Sequence, residues 1–303
     1  MGKRILILGA FDTKGEEYAF IKKLIESRGH ETITMHTGSF EPNKLIHPDI
    51  PNSEIAKMEG IDINDLQKMD RGSAMKILSQ GTAKLVRKLY EDGKFDGIIG
   101  MGGTGGTSVI TAGMRTLPIG VPKVMVSTAA SGDTSPYIGV KDIVMFPSVV
   151  DVAGINRISR QIFTRAVGAI CGMVESEIQE PKEEKPIITA SMFGNTTPCV
   201  DRCRELLTEK GYEVLVFHAT GIGGRTMESL VEDGLVNAVL DITTTEWADE
   251  LCGGVFSAGN TRLDAPGKKG IPHLIVPGCV DMVNFGTKDT IPPKYAERLF
   301  YEW

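Results

Sequence analysis

Phe95 to Ser108 reads FDGIIGMGGTGGTS, and this stretch decides the fold. Asp96 is followed by an apolar run, Gly97 to Ile99. Five glycines then fall within seven positions (Gly100, Gly102, Gly103, Gly105, Gly106), with Thr104, Thr107 and Ser108 among them. A helical pattern through Val109, Ile110, Ala112 and Met114 comes next. Strand, glycine turn and helix in that order aim backbone N–H groups and hydroxyls at a helix N-terminus, where anions bind. Five glycines exceed what a tight turn needs, so the stretch predicts a cradle for phosphate or carboxylate rather than a packing device alone.

Gly100, Gly102 and Gly105 satisfy G-x-G-x-x-G, yet the dinucleotide fingerprint also expects an acidic residue about 20 positions on to hold a ribose hydroxyl. After Asp96 the next acid is Asp133, beyond the following helix and strand. A nicotinamide oxidoreductase is therefore disfavoured. A G-x-x-x-x-G-K-[ST] P-loop is absent as well.

Working outward, the chain reads as alternating strands and helices. Lys3 to Gly9 predicts a buried parallel strand, then a turn with Asp12, Thr13 and Lys14, then a helix to about Arg28. Asp12 or Thr13 suits the helix cap or a ligand contact, and Lys14 suits a phosphate. Thr32 to His36 predicts a second strand. The proline-bearing segment from Gly38 to about Met69 is too long for a simple connection, which suggests a lid, a binding surface or short helices. A helix over Arg71 to Glu91 puts Arg71 and Ser73 where they could reach an anion or simply face water.

After strand Lys123 to Val126, the segment Ser127 to Tyr137 (STAASGDTSPY) gathers small hydroxyl side chains around Asp133. That composition suits phosphate oxygens or a Mg²⁺ shell. Serine-nucleophile chemistry is disfavoured because G-x-S-x-G is missing. A helix is expected from about Val150 to Ser176, and the charged segment QEPKEEK (Gln179 to Lys185) marks a domain boundary, giving units 1–180 and 186–303. The second unit repeats the pattern. Pro186 to Ser191 predicts a strand, Thr197 a cap with Pro198 at the first helical position, and Ala219 to Glu228 another glycine turn. Thr243 to Trp247 forms a hydroxyl-rich helix start beside Glu246.

With 303 residues, 41% hydrophobic, the chain can bury two cores. A net charge of −6 and 6% aromatics give no footprint for nucleic acid. No membrane helix is predicted, and five scattered cysteines without C-x-x-C point to a reduced, cytoplasmic protein.

Several motifs together resemble one family: GAFDTKGEEY (Gly9 to Tyr18), GMGGTGGTS (Gly100 to Ser108), VSTAASGDTSPY (Val126 to Tyr137) and DVAGINRISR (Asp151 to Arg160). MFGNTTPCV (Met192 to Val200), FHATGIGGRTME (Phe217 to Glu228), DITTTEWADEL (Asp241 to Leu251) and VDMVNFG (Val280 to Gly286) complete the set. The family is the uncharacterised one related to the N-terminal, ATP-binding part of the tomato mosaic virus resistance protein. The resemblance spans essentially the whole chain. It implies two Rossmann-like α/β domains, ATP with Mg²⁺ in the first domain, and a homodimer; the alternating pattern predicts mainly parallel sheets, and glycine turns at strand ends in both halves predict a cleft between the domains as the ligand site. Family members run on beyond the position of Trp303, so their C-terminal portion is expected to be lacking here.

On physical grounds the phosphate site maps onto Gly102, Gly103, Thr104, Gly105, Gly106 and Thr107, facing Ser131, Gly132 and Asp133, with Asp12, Thr13 and Lys14 beside them. Asp133 is the candidate Mg²⁺ ligand. The expected role is nucleotide binding. The alternative is an ATP- or phosphate-dependent enzyme acting on a small carboxylate or sugar acid, with Lys14, Asp133 or Glu246 as chemistry residues.

Overall fold

The computed structural model describes residues 2–178 and 184–301. Most of the predicted linker Gln179 to Lys185 therefore lies outside the described residues. The chain divides into unit 1, Met1–Ile178, and unit 2, Gln179–Trp303.

Unit 1 runs β1 (Arg4–Gly9), α1 (Gly15–Ser27), β2 (Glu31–His36), α2 (Asn52–Lys57), α3 (Ile63–Leu66), α4 (Arg71–Glu91), β3 (Gly97–Gly102), α5 (Thr104–Met114), β4 (Lys123–Ser127), α6 (Ser135–Ile138), β5 (Val144–Pro147) and α7 (Arg157–Glu175). Unit 2 runs β6 (Ile187–Met192), α8 (Thr197–Glu209), β7 (Glu213–His218), α9 (Ile222–Glu232), β8 (Ala238–Thr243), α10 (Thr245–Cys252), α11 (Asp264–Lys269) and β9 (His273–Gly278). The sheets have the orders β2-β1-β3-β4-β5 and β7-β6-β8-β9, and every named strand pair is parallel. Each unit is thus an α/β domain built on a parallel sheet.

Period-two alternation sorts the core of unit 1 onto both sheet faces. Leu6 and Leu8 of β1 join Leu78 and Val86 of α4 and Ile110 and Met114 of α5. Ile5 and Ile7 point the other way, into Tyr18 and Ile21 of α1 and Phe163 and Ile170 of α7. Consequently α1, which follows β1, and α5, which follows β3, cover opposite faces. Because β1 and β3 are neighbours, the chain leaves their C-terminal ends in opposite directions. That divergence is a topological switch point, where open α/β sheets collect ligands.

One buried side chain fixes the strand that carries the glycine turn. The Tyr18 hydroxyl accepts from Met101 N–H (2.8 Å) and donates to Met101 O. Burial, more than anything else around it, pushes the phenol pKa far up, so the group stays protonated. A Cβ on Gly9 would overlap the same ring, hence the glycine there. Tyr18→Phe leaves both Met101 groups unpaired, and urea unfolding should register a loss of about 1–3 kcal/mol.

Three local expectations are corrected. The long helix begins at Arg157 rather than near Val150, because Gly154 turns left-handed (φ 75°). Asn156 then caps the helix, with Ser159 completing a capping box. Neither Asp12 nor Thr13 caps α1: Lys14 holds that position without a side-chain cap, and Thr13 Oγ1 donates to Ala10 O (3.3 Å). In unit 2, α8 begins one residue early, with Thr196 as cap and Thr197 in the first turn. The segment from Gly38 to Met69 carries short helices, α2 and α3.

Candidate anion site at the start of α5

The glycine turn is shorter than the sequence suggests. Gly102 still belongs to buried β3, Gly103 is the N-cap of α5, and Thr104, Gly105 and Gly106 form its first turn. Gly103 is extended (φ −78°, ψ −173°) and no side chain caps the helix. An α-helix leaves its first N–H groups without internal acceptors. The amides of Thr104, Gly105 and Gly106 are such groups, whereas Thr107 N–H is bonded to Gly103 O (2.8 Å). Thr104 is exposed, and Gly105 and Gly106 are half-buried. A Cβ built on Gly106 would meet nothing within 4 Å, so the approach is open.

A cation stands beside this turn. Arg71, the first residue of α4, is exposed, and its Nη2 lies 3.7 Å from where a Gly105 Cβ would be. Its guanidinium has no hydrogen-bond or ion-pair partner among the described residues. Asp70 accepts Ser73 N–H (3.0 Å) and caps α4, so the arginine is spared that task.

Other predicted residues fall out as follows. Thr107 is fully buried, and its hydroxyl is bonded to Gly103 O (2.8 Å) and Ser127 Oγ (2.6 Å). It fastens the turn to the end of β4 instead of offering a free hydroxyl. The Ser127–Tyr137 segment forms a 3₁₀ turn (Thr128–Ser131) and α6, not a plain loop. Its Thr128 approaches Gly103, with Oγ1 3.8 Å from a Gly103 Cβ, while Ser131, Gly132 and Asp133 are exposed. Hydrogen bonds from the Ser135 hydroxyl and Ser135 N–H hold the Asp133 carboxyl below its usual range.

Lys14 donates to Val152 O, and Glu17 accepts Gly154 N–H (2.6 Å). Both tie the β1 turn to the segment ahead of α7. Asp12 Oδ2 accepts Phe40 N–H (3.2 Å), while its Oδ1 is shielded from water and has no partner. His36 completes the turn: Nδ1 accepts Phe11 N–H (3.1 Å), which leaves Nε2–H to donate to Phe40 O (2.7 Å).

The second glycine turn differs in one decisive respect. At the N-terminus of α9, Glu246 Oε1 accepts Gly221 N–H (2.7 Å) and Gly224 N–H (3.1 Å). An internal carboxylate already occupies the position an anion would take. Glu246 Oε2 accepts Arg262 Nε–H (2.7 Å), and Arg262 also pairs with Asp241 and with Glu228 (3.0 Å). His273 Nε2–H donates to Asp241 Oδ2 (2.8 Å). Asp241, Glu246 and Arg262 are at most 2% exposed. Glu246, a candidate for chemistry, is therefore engaged in a buried ion network, and so is Asp241. Lys14, Asp133 and Glu246 stand in three separate settings.

The family comparison follows this division. The model of the N-terminal domain of an uncharacterised protein family, UPF0261, matches residues 3–179, and that of its C-terminal domain matches 185–303. The chain belongs to the UPF0261 family. A UPF0261 protein of Clostridium tetani is 51% identical over 303 residues, covering 100% of this chain and 75% of the relative. The ToMV resistance protein Tm-1(GCR237) of Solanum lycopersicum is 40% identical over 319 residues, covering 99% of this chain and 42% of that protein. Among solved structures, the Streptomyces sp. SF2575 glycosyltransferase SsfS6 with thymidine diphosphate is 15% identical with a TM-score of 0.25, over 92% of this chain and 83% of the other. A likeness that slight carries no argument about this UPF0261 chain. Among its described residues, no helix is long and apolar enough to cross a membrane.

Proposed function

We propose that unit 1 of this UPF0261 protein binds a nucleoside phosphate, ATP with Mg²⁺, through the N-terminus of α5. The observation that carries the reading is the uncapped first turn at Thr104, Gly105 and Gly106, next to an unpaired Arg71. Those amides and the guanidinium are the donors a phosphate needs, and the helix dipole adds to them. The contrast with α9 strengthens it, since the comparable glycine turn there is closed by Glu246.

Among the described residues, no group of three or more His, Cys, Asp or Glu side chains could hold a metal ion. Mg²⁺ does not require one, because it is usually held by one or two carboxylates plus the substrate phosphates. Asp12, with its partnerless Oδ1, and exposed Asp133 are the carboxylates that suit this role. Bound Mg²⁺ would neutralise phosphate charge; the protein's own part is to seat the phosphate on the α5 amides and orient it with Arg71.

Calorimetric titration tests the reading. MgATP should bind and NAD should not. Arg71→Ala should weaken MgATP about tenfold, near 1.4 kcal/mol, the scale of one charge-assisted contact at an accessible site. Equal affinity for NAD, or an Arg71→Ala variant indistinguishable from the native chain, would remove the basis for this site.

A further inference from the structure

β3 and β4 end side by side. Their parallel register sets Gly102 opposite Ser127, so the next residues, Gly103 and Thr128, leave the sheet as neighbours. Ser127 is fastened on three counts. Its backbone O accepts Ser148 N–H (3.0 Å), its Oγ accepts Ala129 N–H (2.9 Å), and the same Oγ is bonded to the Thr107 hydroxyl (2.6 Å). That clasp ties the first turn of α5 to the 3₁₀ turn Thr128–Ser131.

Thr128 stands in the clasp with its own hydroxyl uncommitted. Oγ1 lies 3.8 Å from where a Gly103 Cβ would be, and apart from the chain neighbours of Gly103 no other side chain comes within 4 Å of that point. The residue is half-buried, and among the described residues its hydroxyl has no hydrogen-bond partner. Branching at Cβ restricts χ1, so holding the hydroxyl in place costs little entropy.

The two glycine turns differ by this one donor. At α9, amides and an arginine are served by the two oxygens of a carboxylate: Glu246 Oε1 takes Gly221 and Gly224 N–H, and Oε2 takes Arg262. At α5, amides and Arg71 are joined by a hydroxyl from a third element, the end of β4. A carboxylate offers two oxygens in one plane, whereas a terminal phosphate offers three, set as a tetrahedron. A third donor suits a third oxygen.

We propose that Thr128 is a further binding residue of the phosphate site, its hydroxyl donating to an oxygen of a terminal phosphate, and that the site thereby selects phosphate over carboxylate. This rests on the reading of the α5 turn given above. No covalent bond is made or broken.

Calorimetric titration of the full chain with MgATP and with magnesium pyrophosphate reads the contact, because pyrophosphate carries the phosphate without base or ribose. The native chain should bind both, and malonate, a dicarboxylate, should not compete with MgATP. Thr128→Val keeps the branched shape and should weaken both phosphate ligands about tenfold, the scale of one hydrogen bond to a charged group. Thr128→Ser should restore most of that loss, and both variants should keep the native circular dichroism spectrum. Native-like binding by Thr128→Val, with Arg71→Ala still weakened, overturns the role of Thr128 and leaves the α5 reading standing. Equal weakening by Thr128→Ser, a loss confined to MgATP, or competition by malonate overturns the proposal in the same way. Absence of MgATP binding by the native chain removes both.

Discussion

Gly103→Asp should cut MgATP affinity by at least about a hundredfold while leaving unit 1 slightly more stable than before. The two effects have opposite signs because they share one cause. Gly103 is extended, a conformation any residue adopts, and a Cβ there comes no nearer than 3.8 Å to Thr128 Oγ1. An aspartate at this N-cap accepts the N–H of Gly105 or Gly106, supplying the cap that α5 lacks. Relative to glycine that is worth a few tenths of a kcal/mol.

The same carboxylate takes donors from the phosphate and sets a negative charge against it. Each charge-assisted hydrogen bond lost counts for about 1.5–3 kcal/mol. Glu246 plays this part naturally at α9. Gly103→Ala is the control, adding the Cβ without the charge. Titration and urea unfolding of both variants decide the matter, and undiminished MgATP binding by the folded aspartate variant would place the phosphate elsewhere.

Arg262→Met carries the second large effect, a loss of about 3–5 kcal/mol in the stability of unit 2 at neutral pH. The arginine joins Asp241, Glu246 and Glu228, and removing it leaves Asp241 and Glu246 buried without their main counter-charge. The response to pH should also reverse. In the native chain, burial alone would raise the Asp241 pKa, but hydrogen bonds from His273 and Arg262 outweigh it and the net shift is downward. A depressed folded pKa stabilises above the unfolded value, about 3.9, and that contribution disappears as pH falls towards the folded one. Without Arg262 the burial effect dominates and the folded pKa rises. Protonating Asp241 then relieves the penalty, so the variant should recover stability between about pH 7 and pH 5. Urea unfolding across that range checks the sign, and a parallel decline of both proteins on acidification would contradict it.

Much of the scaffold was legible because burial writes itself into spacing. The apolar runs Ile5 to Leu8 and Gly97 to Ile99 are short and continuous, as two-sided strands are, and α4 matches its predicted range of Arg71–Glu91. Local capping chemistry was less legible. Which N–H the Asp12 carboxylate accepts, that of Phe40, depends on where the segment after β2 passes. Arg262 gave no periodic or motif signal, since its three acidic partners come from separate elements of unit 2.

The two glycine turns show where sequence stops and tertiary structure takes over. Residues 100–108 and 219–228 look alike as sequences: strand, glycines, hydroxyls, helix. Sequence alone determined that each would begin a helix with exposed or exposable amides, because glycine and helix geometry are local properties. Only the folded chain decided which amides are still free, because Glu246, in the first turn of α10, is 25 positions from Gly221 and meets it only through the fold. In hindsight the sequence did hold one clue: between Asp96 and Asp133 there is no acidic residue that could fill the α5 turn in the same way. A helix N-terminus is an anion site only where no carboxylate of the protein itself gets there first.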